Sequence, residues 1–382
     1  MERRNVGILG ATGAVGQRFI QLLAEHPWFN ITWLAASDRS AGKTYAEACA
    51  WRLDTPLPTR IAEMVLQPNT PEATGTDLPR IIFSSVDAPI ARDLEPKFAA
   101  AGCAVISNSS AFRMATDVPL VVPEVNADHL AIIETQPTRR ASNGGTPSGG
   151  YIVTNPNCCA IGLVLPLAPL EQKFGIEKLF VSTLQAVSGA GYPGVASLDI
   201  LGNVIPYIKN EEEKLQEEVA KLLGSASSNA FQPASLKLSA HCNRVPVIDG
   251  HTECVSIKLR TPATYQQILD AWSTFQPLSH QGLDGLHLPS APLYPVEYFP
   301  QEARPQPRLD LMRGNGMATT VGRLRPCNLF DWKFTLLSHN TIRGAAGAAI
   351  LNAEILAVLG KFDFRSFPPP CQAHPATELV TA

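Results

Sequence analysis

The sequence predicts an α/β architecture of more than one domain, built on a parallel sheet with helices on its faces. Three observations predict it. Short apolar runs alternate with helical patterns through the first part of the chain. A glycine-rich turn follows the first of these runs. The 382 residues are too many for one ordinary core, and a hydrophobic content of 45% is enough to fill two.

Residues 4–9 read as a short buried strand, leading into Gly10-Ala11-Thr12-Gly13-Ala14-Val15-Gly16 and a helical pattern to about residue 24. Residues 31–36 form a second strand that ends in a polar loop. Residues 81–84 and 104–106 are further short apolar runs, separated by a helix-like stretch at 92–101. The Pro-, Ser- and Gly-rich segment 137–150 reads as a solvated loop, and 151–154 as one more strand. Beyond it, 178–185 is strand-like, and 211–223 is an amphipathic helix whose acidic start suits a helix N-terminus. Alternating runs at 251–260 and 329–337 predict strands of an antiparallel sheet. The proline-rich stretch 283–309 reads as an arm rather than core, and 341–359 as one long Ala-rich helix. No internal repeat is present.

Composition excludes several function classes. Net charge is −3, which offers no field for nucleic acid or an anionic membrane, so any phosphate chemistry must rely on local basic residues. Charged residues make up 17%, a low share that is consistent with a surface partly covered by another subunit. The eight cysteines follow no disulfide framework, and no C-x-x-C pair suggests a zinc site, so no metal is expected. Met1–Asn5 leads straight into a strand without a signal-peptide apolar region, and no apolar stretch approaches 18 residues. The expectation is a reduced, cytoplasmic protein.

A strand, then Gly10, Gly13 and Gly16 at three-residue spacing, then a helix is a variant of the Rossmann dinucleotide fingerprint. Glycines let the backbone of Gly10, Thr12, Gly13, Ala14, Val15 and Gly16 approach a pyrophosphate, whose charge the helix N-terminus favours. The end of the second strand, Ser37-Asp38-Arg39-Ser40-Ala41-Gly42-Lys43, bears on the choice of cofactor. Asp38 could hold the ribose hydroxyls of NAD, whereas Arg39, Ser40 and Lys43 suit the 2′-phosphate of NADP, with Ser37 beside them in the cofactor site. NADP is the expectation, with NAD open.

Thr154-Asn155-Pro156-Asn157-Cys158-Cys159 closes a strand and opens the helical run 160–171. A thiol at a helix N-terminus ionises more readily, and the N–H groups there can stabilise an oxyanion. Cys158 is therefore the candidate nucleophile. Cys159 lies one position deeper and is expected to pack as core, as are Cys49, Cys103, Cys254 and Cys327.

Together with these features, several further segments resemble the aspartate-semialdehyde dehydrogenase family, in the branch found in archaea, fungi and some bacteria. They are Ser107-Asn108-Ser109-Ser110-Ala111-Phe112-Arg113, Val122-Pro123-Glu124-Val125-Asn126, Gln185 to Gly191, Asn243-Arg244 to His251, and Asn340 to Gly347, in the family's order. Two departures stand out: that branch usually has Ser where this chain has Cys159, and the 137–150 loop is longer than usual. The resemblance implies an α/β Rossmann-like NADP-binding domain, 1–154 plus 341–382, with an inserted α+β catalytic and dimerisation domain, 155–340. It implies NADPH-dependent reduction of L-aspartyl-4-phosphate to L-aspartate-4-semialdehyde through a Cys158 thioester. In that scheme His251 is the acid/base, able to accept the thiol proton, and Gln185 orients the thioester. Arg244 grips the substrate carboxylate, and Glu211 pairs with its ammonium. Arg113 and Lys214, with Asn108 nearby, hold the phosphate. Ser188, Gly189 and Asn340 join the cofactor site. Family members are homodimers or homotetramers. Two alternatives remain open at this point. One is a same-fold reductase of malonyl-CoA or N-acetylglutamyl phosphate; the other is a non-catalytic NADP-binding regulator, against which the Cys158, His251, Gln185 and Arg244 set argues.

Overall fold

The computed structural model describes residues 3–71, 78–139, 149–227, 230–278, 283 and 286–362. Most of the 137–150 loop, Cys371 and residues 363–382 lie outside the described residues.

Six parallel strands form the first sheet in the order β3-β2-β1-β4-β5-β6. They are β1 (Arg4–Leu9), β2 (Phe29–Ala36), β3 (Gln67–Pro68), β4 (Ile81–Ser84), β5 (Ala104–Ser107) and β6 (Tyr151–Thr154). Helix α1 (Ala14–Leu23) follows β1, and α2 (Ala88–Ala100) joins β4 to β5. Helix α2 begins four residues before the 92–101 run, because Asp87 sits at the N-cap position and a proline occupies the first turn, where its missing N–H costs nothing. The strand order reverses direction between β1 and β4, which opens a crevice at their carboxyl ends.

The second sheet runs β10-β7-β11-β14-β13-β12. Its strands are β7 (Ile176–Gln185), β10 (Lys237–Arg244), β11 (His251–Leu259), β12 (Val296–Phe299), β13 (Thr319–Pro326) and β14 (Trp332–Ser338), while β8 (Ser225–Ala226) and β9 (Phe231–Gln232) make a separate short ribbon. This sheet is mixed rather than antiparallel throughout: β10 runs parallel to β7, and β12 parallel to β13. Alternation of apolar residues reports a strand with one buried face, but not the direction of its neighbour. The proline-rich arm also contributes more than expected. Its residues 296–299 form the edge strand β12, and Leu288 and Val296 are buried. Prolines around such an edge do not interrupt a ladder.

Helix α3 (Cys158–Phe174) lies on this sheet and buries twelve residues, from Cys159 to Leu170. Helix α4 (Glu211–Leu222) and helix α5 (Tyr265–Ser273) pack beside it, with Trp272 Nε1 donating to Pro166 O at 2.9 Å. The chain then returns to the first core. The run expected as one helix divides into a π-helical turn, Ile342–Ala346, and α6 (Gly347–Val358). Gly344 N donates to His339 O at 2.9 Å and Ala346 N to Thr341 O at 3.1 Å, the five-residue spacing of a π turn. A side chain at Gly344 would place its Cβ 2.7 Å from Cys158 Cβ, so glycine lets this turn press against the head of α3.

Strand direction explains why distant residues converge. β7 and β10 end side by side in parallel register, with Arg244 opposite Gln185. Antiparallel β11 begins at that same end with His251. Three side chains 185, 244 and 251 therefore share one edge of the sheet, beneath the start of α3.

Candidate active site

Asn157 caps α3, its Oδ1 accepting from Cys159 N at 2.8 Å and Ala160 N at 3.4 Å. Such a cap fixes the first turn and is worth about 1 kcal/mol. The cap occupies the N–H groups of Cys159 and Ala160. Cys158 Sγ lies 3.1 Å from His251 Nε2. A hydrogen bond from the Cys159 thiol, then the hydrogen bond of His251 and the Arg113 guanidinium, hold the Cys158 thiol well below its usual range, outweighing burial. Burial first, and then the neighbouring Cys158, push the Cys159 thiol well above its usual range. The two neighbouring thiols are thus driven in opposite directions.

His251 Nδ1 accepts the Ala186 N–H at 3.1 Å. A neutral ring must then carry its proton on Nε2, the nitrogen that faces sulfur. In that tautomer His251 Nε2 is the donor toward the Cys158 sulfur. The same proton stands where a metal would need a lone pair, although Cys158, Cys159 and His251 bring their ligand atoms within 4.8 Å of one another.

Glu211 settles its own register. It is buried, with Oε2 accepting from Asn157 Nδ2 at 2.8 Å and Gln185 Nε2 at 3.4 Å, and Oε1 lying 3.4 Å from Lys214 Nζ. Glu212 instead accepts from Cys242 N. Arg244 Nη1 donates to Ala186 O at 2.7 Å. A Cβ at Gly189 would come within 2.8 Å of Arg244 Nη1 and 3.0 Å of His251 Cε1, so only glycine lets the 187–190 turn lie over both. Arg113 Nη1 meets Glu218 Oε1 at 3.0 Å, and its Nη2 donates to Asn108 O at 2.7 Å. Asn340 Nδ2 donates to Ser188 Oγ at 2.7 Å, while its Oδ1 accepts from Gly250 N. Cys158, Asn108, Arg113, Gln185, Glu211, Lys214 and Arg244 line one cleft of about 580 Å³ together with Ala14, Val15, Ser188, Gly189 and Asn340.

The glycine turn suits a dinucleotide. Gly10 has φ +72°, and a Cβ there would sit 3.0 Å from Ser85 O. A Cβ at Gly16 would meet Gly10 O at 2.3 Å, so α1 can start this close to β1 only with glycine. Gly13 caps α1 without a side chain, leaving first-turn N–H groups to a ligand. Ala11 N bonds Ala35 O at 3.0 Å, which brings Thr12 and its neighbours beside the end of β2. There Ser37, Asp38, Arg39 and Lys43 are exposed and Ser40 half-buried, in a turn closed by Ser40 N to Ser37 O at 2.8 Å.

Sequence reasoning missed Asn157, Glu218 and Glu253. An Asn one residue before a helix is a cap signal, and Glu218 stands two turns beyond Glu211 on the same face; both were readable. Glu253 gave no such signal. It is fully buried, burial raises its carboxyl well above the usual range, and neither oxygen has a hydrogen-bond partner among the described residues. Cys254, expected in the core, is exposed because it points to the opposite face of β11 from His251 and Glu253. Cys327 is only half-buried, whereas Cys49, Cys103 and Cys159 are buried.

Comparison with known proteins agrees with this arrangement. Residues 5–133 match the family described as semialdehyde dehydrogenase, NAD binding domain, and residues 167–343 the semialdehyde dehydrogenase dimerisation domain. An aspartate-semialdehyde dehydrogenase of Archaeoglobus fulgidus is 48% identical over 354 residues, covering 93% of this chain and 98% of that one. One from Candida albicans is 46% identical over 365 residues, covering 93% and 98%. The crystal structure of the Candida albicans aspartate semialdehyde dehydrogenase with NADP superimposes with a TM-score of 0.84 at 45% identity, over 93% of this chain and 98% of that one. An aspartate semialdehyde dehydrogenase II of Vibrio cholerae complexed with ASA gives 0.71 at 27% identity, over 94% and 99%. With its parallel nucleotide-binding sheet, its helix-borne cysteine and near full-length identity to these enzymes, the chain belongs to the aspartate-semialdehyde dehydrogenase family.

Proposed function

We propose that this dehydrogenase reduces L-aspartyl-4-phosphate to L-aspartate-4-semialdehyde with NADPH, through a thioester on Cys158. The observation that carries the reading is the 3.1 Å approach of Cys158 Sγ to His251 Nε2 at the head of a helix, in a cleft that also holds Arg113, Lys214 and Arg244. The Cys158 thiolate attacks the acyl carbon, the bond from that carbon to the phosphate oxygen breaks, and phosphate leaves carrying the proton that the net reaction consumes. His251 Nε2–H would donate to the oxygen on which negative charge develops, and Gln185 would orient the thioester. NADPH, when bound, supplies the hydride that reduces the thioester. Release of the aldehyde returns Cys158 to the thiolate that its surroundings favour.

Arg244 offers a guanidinium to the substrate carboxylate, and Glu211 a carboxylate to its ammonium. Arg113 and Lys214, with Asn108, surround the phosphate. Gly10, Thr12, Gly13, Ala14, Val15 and Gly16 would cradle the pyrophosphate of NADP. Ser37, Arg39, Ser40 and Lys43 would meet its 2′-phosphate, and Ser188, Gly189 and Asn340 its nicotinamide end. The functional division of the chain is 1–154 plus 341–382 against 155–340; burial of Ile342, Ile350 and Ile355 in the core of the first sheet supports it. A homodimer or homotetramer fits the matched dimerisation domain and the exposure of Leu198, Leu201 and Ile248. A cytoplasmic location fits a nucleophilic thiol and the absence of disulfides among the described cysteines. No helix among the described residues is long and apolar enough to cross a membrane.

A spectrophotometric assay of NADP reduction with aspartate semialdehyde and phosphate tests the reaction, with malonyl-CoA reduction as the control. Phosphate-dependent turnover is expected. Reduction of malonyl-CoA as fast as aspartyl phosphate would mean that the substrate is misassigned, although fold and nucleophile would stand.

A further inference from the structure

The inner face of helix α4 carries charge where an ordinary amphipathic helix carries apolar side chains. Glu211, Glu218 and Lys221 are all buried on it. Glu218 uses its two oxygens on two different partners: Oε1 lies 3.0 Å from Arg113 Nη1, and Oε2 accepts the Asn157 N–H at 2.5 Å. Asn157 is the cap that fixes the first turn at Cys158, and Arg113 lines the cleft. One turn further on, Lys221 Nζ donates to the carbonyls of Arg113 at 2.7 Å, Ala115 at 2.9 Å and Val118 at 3.0 Å. The head and the main chain of the Arg113 segment are thus both fastened to α4.

From this geometry we propose that Glu218 is a positioning residue, whose single carboxylate fixes the separation between the nucleophile's cap and the guanidinium that holds the leaving phosphate. The proposal rests on the phosphate-holding role of Arg113 given above. Displacement at an acyl carbon requires the attacking sulfur and the departing phosphate at a set spacing around one atom. Two partners independently anchored would drift apart with every motion of the loop 108–118 relative to α3. A carboxylate gripping both removes that freedom, and its burial keeps water from competing for either bond. Glu218 touches neither sulfur nor, in this scheme, substrate. Its effect must pass through Arg113 and Asn157.

The test is a double-mutant cycle on the full-length enzyme, run in the phosphorylating direction with phosphate and aspartate semialdehyde varied separately. In Glu218→Gln the charge that holds the guanidinium is lost and the amide's single oxygen can accept from only one of Arg113 Nη1 and Asn157 N, so the bridge is broken in either orientation. KM for phosphate is expected to rise about tenfold, with KM for the semialdehyde changed less than about twofold. In an Arg113→Ala background the same substitution should add less than about twofold to the phosphate KM, because its route is already cut. Should the amide variant fail to fold, Glu218→Asp keeps the charge but is one methylene too short to reach both partners, and the same selective rise is expected. Equal rises for both substrates, or additive effects in the cycle, would overturn the assignment of Glu218 alone. A fall in phosphate KM would overturn it too, since the carboxylate would then only attenuate the guanidinium's charge. If Arg113→Ala leaves phosphate KM unchanged, the reading of Arg113 itself fails and this inference with it.

Discussion

Cys158 and Cys159 are adjacent and chemically identical, yet their surroundings drive them to opposite states. Cys158 faces the cleft, His251 and Arg113, while Cys159 is buried among apolar side chains of the second core. Replacing Cys158 by Ala or Ser should lower turnover by about 10⁴-fold or more, because neither side chain supplies a nucleophile ionised near neutrality. Cys159→Ala should keep turnover within about fivefold. It should nevertheless move the alkylation of Cys158. The Cys159 thiol is the largest of the influences holding the Cys158 thiol down, so its removal raises the pH at which iodoacetamide reacts at half its limiting rate. Labelling rates measured from about pH 5 to about pH 9 read this directly. An unmoved midpoint would assign the activation to His251 and Arg113 instead.

At the scale of elements, α2 and the strands beneath it hold a charge that the sequence conceals. Glu95 is fully buried; its Oε1 accepts from Ser107 Oγ at 2.6 Å, and Oε2 has no partner among the described residues. Burial pushes its carboxyl up from 4.5 to about 7, against the smaller effects of Ser107, Ser84 and Arg113. Since the folded protein holds this proton more tightly than the unfolded chain, the contribution is fully present below about pH 4.5 and is lost as pH rises through about 7. The loss amounts to about 3 kcal/mol at most. Glu95→Gln, a neutral stand-in for the protonated acid, should remove this decline. Thermal midpoints of both proteins at about pH 5 and about pH 8 provide the measurement, and parallel profiles would show that Glu95 ionises normally. Helix α4 teaches the complementary lesson. Its acidic start and the pair Glu211–Lys214 were visible as a pattern, and Glu218 shares the face of Glu211, but charged residues on a helix are usually solvated, so the pattern gave the face and not its burial.

Across the whole molecule, the turn at 37–43 proposed for the 2′-phosphate and the sulfur of Cys158 belong to different elements, one following β2 and the other at the head of α3. Arg39 and Lys43 are exposed, so alanine at both should leave stability within about 0.5 kcal/mol. The expected outcome is a KM for NADP raised far more than that for NAD, because only NADP carries the 2′-phosphate. Steady-state kinetics with the two cofactors check it, and equal changes would place these side chains on the pyrophosphate or the fold. A larger cavity of about 1100 Å³ adjoins the cleft, between α1 and residues 187–201, with Arg52 stacked 3.5 Å from the Tyr192 ring. Thr12 and Ala14 of the glycine turn and Ser188 of the 185–191 segment line it, while the rest of its walls come from segments far apart in the chain.

The sequence by itself determined the alternation of strand and helix, the glycine turn at residues 10–16, the thiol at the head of a helix, and the family motifs in their order. These are local: each depends on periodicity, on a backbone angle only glycine tolerates, or on residues within one turn of each other. Only the tertiary structure decided the mixed direction of the second sheet, the edge strand drawn from the proline-rich arm, the Nε2–H tautomer of His251, and the bridge from Glu218 to Arg113 and Asn157. Each of those rests on a contact between residues more than about twenty positions apart or on the burial of a charge. Such contacts exist only after the chain has closed on itself, because burial and partner choice are properties of the packed surroundings and not of the residue.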